Sequence, residues 1–163
     1  MMRDSADTMD RVKVRFVLER EDEDWPPVGS EGVWARPLSG DQYELDNVPW
    51  FARNVAFGDR VRAELDDDGV LVVAERVEWS GRYTVRVIPL GDAPAEDLVG
   101  RVIREFAALG ASCESALPSF RLVALDIPWD ADLSRIKGLL VAGETDGRWG
   151  YEEGCVDDRW RAA

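Results

Sequence analysis

Histidine is absent from this chain of 163 residues. Its absence removes the commonest general base, the Ser-His-Asp and Cys-His arrangements, and every zinc site built on imidazole. Cysteine is nearly absent as well. Cys113 and Cys155 are too few and too far apart for a zinc ribbon or a redox pair, so they read as buried thiols of a reducing cytoplasm. Lysine is confined to Lys13 and Lys137, the other 18 of 20 basic residues being arginine, a bias that reads as genome base composition rather than mechanism. No run approaches the ~20 apolar residues of a membrane span, and the N-terminus lacks a charged-then-apolar leader pattern. The expected compartment is the cytosol. No glycine-rich phosphate cradle occurs either, and neither a cofactor nor a metal is expected.

What is present is acid. Asp and Glu number 33 against 20 basic residues, a formal charge of −13, which repels phosphate backbones and attracts cationic partners. Nucleic acid and membrane are therefore not expected as ligands. Apolar residues at 45% and seven tryptophans lie well outside the range of disordered chains, and the length suffices for a core without disulfide or metal staples. Only Met1 to Asp10, polar and without periodicity, reads as a disordered tail.

Val12, Val14, Phe16 and Leu18 are set off by Arg11, Lys13, Arg15 and Glu19, the period of a strand with one buried face. Strands are predicted at Glu31 to Leu38, Tyr43 to Leu45, Val61 to Leu65 and Val70 to Trp79, with turns at Gly40-Asp41 and Asp67-Asp68-Gly69. Glu75 shares the apolar face of the last of these, so a β-bulge is expected to turn it outward, because an unpaired buried charge is costly. Five strands in about seventy residues predict a small β-barrel over residues 11–81.

Past Ser80-Gly81 the pattern changes to strands alternating with helices. Tyr83 to Val87 is a strand, and Pro94 to Leu109 a helix with Asp92 as its cap and Gly110 as its stop. Cys113-Glu114 is an edge strand, and Phe120 to Ile127 a central one covered on both faces. A second helix is capped by Asp130, carries Leu133, Ile136 and Leu140, and ends at Gly143; the last strand is Trp149 to Val156. The expected fold class is α+β: a five-stranded barrel followed, over residues 82–158, by a ferredoxin-like βαββαβ sandwich. In that strand order the two cysteines fall on opposite edges, too far apart for a disulfide.

The run Glu31-Gly32-Val33-Trp34, Tyr43, Asp46-Asn47-Val48-Pro49-Trp50-Phe51, Gly58-Asp59-Arg60-Val61 and Ser80-Gly81 resembles a bacterial family known only as domain of unknown function 4265. The resemblance covers at least residues 12 to 88. It implies no catalytic residues, cofactor or partner. Within the run, Asp46 and Asn47 are expected to bond backbone two residues onward in a turn, and Pro49 to stiffen the approach of Trp50 and Phe51 to a core. The carboxylate clusters Asp66-Asp67-Asp68, Glu152-Glu153 and Asp157-Asp158 match no calcium loop and read as exposed acidic turns.

These features favour a non-catalytic protein whose acidic surface binds a basic protein, in concrete form an immunity protein or antitoxin. The expected anchors are Trp25, Trp50 and Trp149, with a carboxylate rim of Glu21, Asp22, Asp24, Glu152 and Glu153. The alternative is a small-molecule-sensing domain with Glu75, Trp79, Tyr83 and Arg86 as contacts where barrel meets sandwich. A third is a carboxylate enzyme using Asp126. The sandwich leaves one partly apolar sheet face to be covered by the barrel, by a ligand or by a second copy, so a homodimer is compatible with each reading.

Overall fold

A computed structural model describes residues 11–163; the expected tail, Met1 to Asp10, lies outside the described residues. Two compact units divide the chain between Ser80 and Gly81.

The first unit is a closed barrel of five strands: β1 (Val12–Val17), β2 (Ser30–Pro37), β3 (Gln42–Leu45), β4 (Arg60–Leu65) and β5 (Leu71–Glu78). Neighbours run antiparallel, and β1 closes on β5 in parallel with Arg15 opposite Val72. The alternation in the sequence has a simple outcome. Val14, Phe16, Val33, Ala35, Leu45, Val61 and Ala63 point inward and form one cluster with Ala52 and Val55 from the β3–β4 connection. Leu65 ends β4 and is exposed rather than buried.

The β4–β5 register slips twice: Ala63 faces Val73 while Arg62 faces Glu75, and Val61 faces Arg76 while Arg60 faces Glu78. Each slip inserts one extra residue on β5 and reverses the side-chain parity beyond it. Glu75 is thereby exposed, 3.4 Å from the Arg62 guanidinium, as a bulge requires. The Asp66 carboxylate accepts hydrogen bonds from the Asp68 and Val70 amides at 2.9 Å, so the acidic run at that hairpin shapes its own turn.

The second unit reads β6 (Tyr83–Pro89), α1 (Ala95–Ala107), β7 (Ser112–Ser115), β8 (Val123–Ile127), α2 (Leu133–Thr145), β9 (Trp149–Cys155) and a short α3 (Asp158–Ala162). The sheet order is β7-β8-β6-β9, every pair antiparallel. The molecule is thus mixed α+β, with a closed barrel and a separate four-stranded sheet. All five residues of β8 are buried, which suits its inner position, and β7 and β9 are the edges. Cys113 on β7 and Cys155 on β9 are both free thiols.

Several local expectations change. α2 runs past Gly143 to Thr145, and β8 starts at Val123 rather than Phe120. The N-cap of α1 is Pro94 rather than Asp92, and it makes no side-chain cap bond; proline's fixed φ and missing N–H suit the start of a helix on their own. The cap of α2 is Asp132 rather than Asp130, its carboxylate accepting from the Arg135 amide at 3.2 Å. The third helix was unforeseen; it is capped by Asp157, whose Oδ1 accepts from the Trp160 amide at 3.0 Å, and its Trp160 is fully buried against Tyr83. Among the described residues no helix is long and apolar enough to cross a membrane.

Candidate functional site

One concave feature brings together several of the residues singled out in the sequence, and it lies on the barrel unit. It is a cleft of about 370 Å³ formed by the end of β1, the loop from Leu18 to Gly29 and the corner from Phe51 to Asn54. Its lining includes the aromatic rings of Phe16, Trp25 and Phe51 and the charged side chains of Glu19, Arg20, Glu21 and Arg53.

Each wall has an identifiable support. The loop folds back on itself, with the Glu21 and Asp22 amides donating to the Trp25 carbonyl at 2.9 and 3.2 Å. The Asp22 carboxylate accepts from the Asp24 and Trp25 amides at 2.9 and 2.8 Å. Trp25 is therefore held through both its N–H and its C=O. Its ring meets Phe51 edge-on, with centroids 5.6 Å apart.

The opposite wall is fixed by Glu31. Its carboxylate accepts from the consecutive amides of Trp50, Phe51 and Ala52 at 2.9, 2.8 and 2.7 Å. Three donors on one charged acceptor make a strong anchor, and they explain the Pro49-Trp50-Phe51 run: the chain must turn so that successive N–H groups point at one carboxylate. Asn47 Oδ1 accepts from the Trp34 amide on β2 at 2.9 Å, and Asp46 lies 2.9 Å from the Arg11 guanidinium. These two side chains tie the corner to strand β2 and to the residue that leads into β1 instead of bonding backbone two residues onward, and neither residue is left-handed. Asn54 is, at φ 61°. An ion pair between Glu21 and Arg53 joins the two walls across the cleft mouth.

Of the expected partner-binding residues, Trp25 and Glu21 line this cleft, and Asp22 and Asp24 belong to its loop. Trp50 is half-buried and does not line it; its indole N–H is buried without a partner among the described residues. Trp149 is not a surface anchor. It is 2% exposed in the second unit, packs on Phe106 with centroids 5.5 Å apart, and donates its indole N–H to the Leu140 carbonyl at 3.1 Å. Gly143 makes this burial sterically feasible, since a Cβ there would come within 2.0 Å of the Trp149 ring.

Glu152 and Glu153 are engaged inside the same unit. Glu152 accepts from Arg86 Nε at 2.8 Å, and Glu153 accepts from the Trp160 indole. Arg86 itself is fully buried over Gly154, where a Cβ would approach its guanidinium to 2.7 Å. Of the contacts expected for a sensed ligand, Tyr83 and Arg86 are thus wholly buried, Trp79 is half-buried and Glu75 faces solvent beside Arg62. Asp126 is 4% exposed and paired with Arg82 at 2.7 Å; burial raises its pKa, and the Arg82 partner pulls the other way.

Sequence reasoning gave no site role to Glu31 and Arg53, which act across long separations, to Asn54, which lines the cleft, or to two exposed tryptophans. Trp34 sits between the cations of Arg11 and Lys13, each 5.1 Å from its ring, and Trp129 lies under the Arg159 guanidinium at 4.2 Å.

No curated protein matches the sequence. Among solved structures the chain is similar to a hypothetical protein from Neisseria gonorrhoeae, 21% identical, with a TM-score of 0.71 over 89% of this chain and 94% of that one, a likeness of fold. A family described as a domain of unknown function, DUF4265, matches residues 31–151, reaching from β2 into the start of β9 and so well past residue 88. It takes in Glu31, the Asp46 to Phe51 corner and Arg53 while leaving the acidic loop outside, and the chain belongs to that family.

Proposed function

We propose that this protein is a non-catalytic binding protein that uses the barrel cleft and its acidic loop to hold a basic protein, as an immunity protein or antitoxin of the cytoplasm neutralising a cationic bacterial toxin. One observation carries the reading. The cleft joins an aromatic pair, Trp25 and Phe51, to a loop bearing Glu19, Glu21, Asp22, Glu23 and Asp24. Aromatic anchors inside a carboxylate rim suit an inserted cationic side chain, the rings through their electron-rich faces and the rim through charge. The net charge of −13 adds a steering field for a basic partner. For the second unit we propose a ferredoxin-like sandwich, supported by the element order β6-α1-β7-β8-α2-β9 and the antiparallel order β7-β8-β6-β9.

The test is co-expression with the product of the neighbouring reading frame, followed by affinity purification at low salt. A basic polypeptide should be retained, its affinity falling about tenfold with Trp25→Ala and falling again when Asp22 and Asp24 are neutralised. Retention indifferent to salt and to all three substitutions would exclude the cleft as the binding surface.

A further inference from the structure

The cleft mouth already holds a guanidinium. Arg53 reaches across from the Glu31-anchored corner and pairs through Nε with the Glu21 carboxylate, and both residues line the cleft. Resting on the binding reading above, we infer that the cleft takes an arginine side chain of the partner, and that Arg53 is a built-in competitor that must yield Glu21 before the partner docks.

Three features support this assignment. The Arg53 and Glu21 side chains are 45% and 40% exposed, so water screens their attraction; exposed pairs of this kind amount to only about a two- to fivefold factor in an equilibrium. Such a pair is easily exchanged. The aromatic walls of the cleft are also pre-set, because Trp25 is fixed through its own amide and carbonyl, and Phe51 through Glu31. The receiving half is therefore built before the occupant arrives. Finally, the occupant chemistry is specific. A planar guanidinium can stack on an aromatic ring while forking onto a carboxylate, whereas an ammonium, a point charge without a planar fork, makes neither the stack nor the bidentate bond. Glu21 and Trp25 belong to the same loop, tied together by the bonds from the Glu21 and Asp22 amides to the Trp25 carbonyl. A guanidinium entering beside Trp25 thus meets the carboxylate that Arg53 now holds.

The experiment titrates N-acetyl-arginine amide and, separately, N-acetyl-lysine amide into the whole protein, following the Trp25 indole N–H resonance, identified by its loss in Trp25→Phe. The arginine amide should shift it more strongly than the lysine amide. Arg53→Gln should tighten that binding about two- to fivefold, and Glu21→Gln should weaken it. Arg15→Gln is the charge control: it removes one exposed cation from β1, outside the cleft, and should leave the affinity within error of the original. Equal affinities in the original protein and Arg53→Gln, or equal tightening by Arg15→Gln, would overturn the competitor while leaving the cleft as a cation site. No shift of Trp25 by either amide, in the original protein or in Arg53→Gln, would overturn the competitor and the cleft reading together.

Discussion

Asp59 shows how far a single side chain governs the barrel unit. It is fully buried, yet its carboxylate is surrounded by donors: the Ala56 amide at 2.9 Å, the Ser80 amide at 2.8 Å and the Arg76 guanidinium at 3.5 Å. It therefore fastens the turn before β4 to the chain leaving β5, a long-range contact that the Gly58-Asp59 pair does not disclose in sequence. Burial raises its pKa above the ordinary 3.8, while the backbone and Ser80 bonds and the Arg76 charge oppose the rise. The sign follows from linkage. The folded state holds this proton more tightly than the unfolded chain, so the carboxyl's contribution to stability is fully present below 3.8 and declines as pH rises through the raised folded value. Urea midpoints measured across the acid range should show that decline in the original protein and not in Asp59→Asn. Parallel midpoints for the two proteins would mean that the donors fully compensate burial.

The helix caps carry the corresponding lesson for elements. Asp132, not Asp130, accepts the Arg135 amide, so Asp132→Ala should lower stability by about 0.5–2 kcal/mol and Asp130→Ala by far less, read from denaturant midpoints. The two residues are close neighbours with identical chemistry, and only the backbone path after Pro128 decides between them. Strands were more legible than caps. Alternation placed all five barrel strands within a residue or two, because a half-buried strand writes its inward face directly into the sequence. The outward turn of Glu75 was legible for the same reason, since a carboxylate at an inward parity demands either a bulge or a partner. Trp149 was not legible. Arg148 precedes it and Glu152-Glu153 follow closely, a polar setting, and the space it fills is made by Gly143, a helical glycine that also reads plausibly as a helix stop. The cleft was half legible: the acidic loop and Trp25 announce themselves by composition, but Glu31 finds its three amides some twenty residues onward, and nothing local marks that pairing.

At the scale of the molecule the excess of 13 negative charges acts on folding and on association in opposite directions. Within one chain, like charges repel and disfavour the compact state, whereas between this chain and a cationic partner they attract. Added salt screens both. Over moderate sodium chloride the Debye length shortens from about 30 Å at 0.01 M to about 8 Å at 0.15 M, which removes long-range repulsion first and leaves close pairs less affected. The close pairs are numerous: Arg62 with Glu75, Arg82 with Asp126, Arg86 with Glu152 and Arg148 with Glu105. Two of these, on Arg86 and Asp126, involve groups almost wholly withdrawn from water and feel salt least. The thermal midpoint should accordingly rise between 0.01 and 0.15 M salt, while the affinity for a basic partner falls over the same range. A midpoint that instead fell with salt would mean that the exposed ion pairs outweigh the net repulsion. Association that failed to weaken would mean that the apolar contacts of Trp25 and Phe51, rather than the carboxylates around them, dominate the hold on the partner.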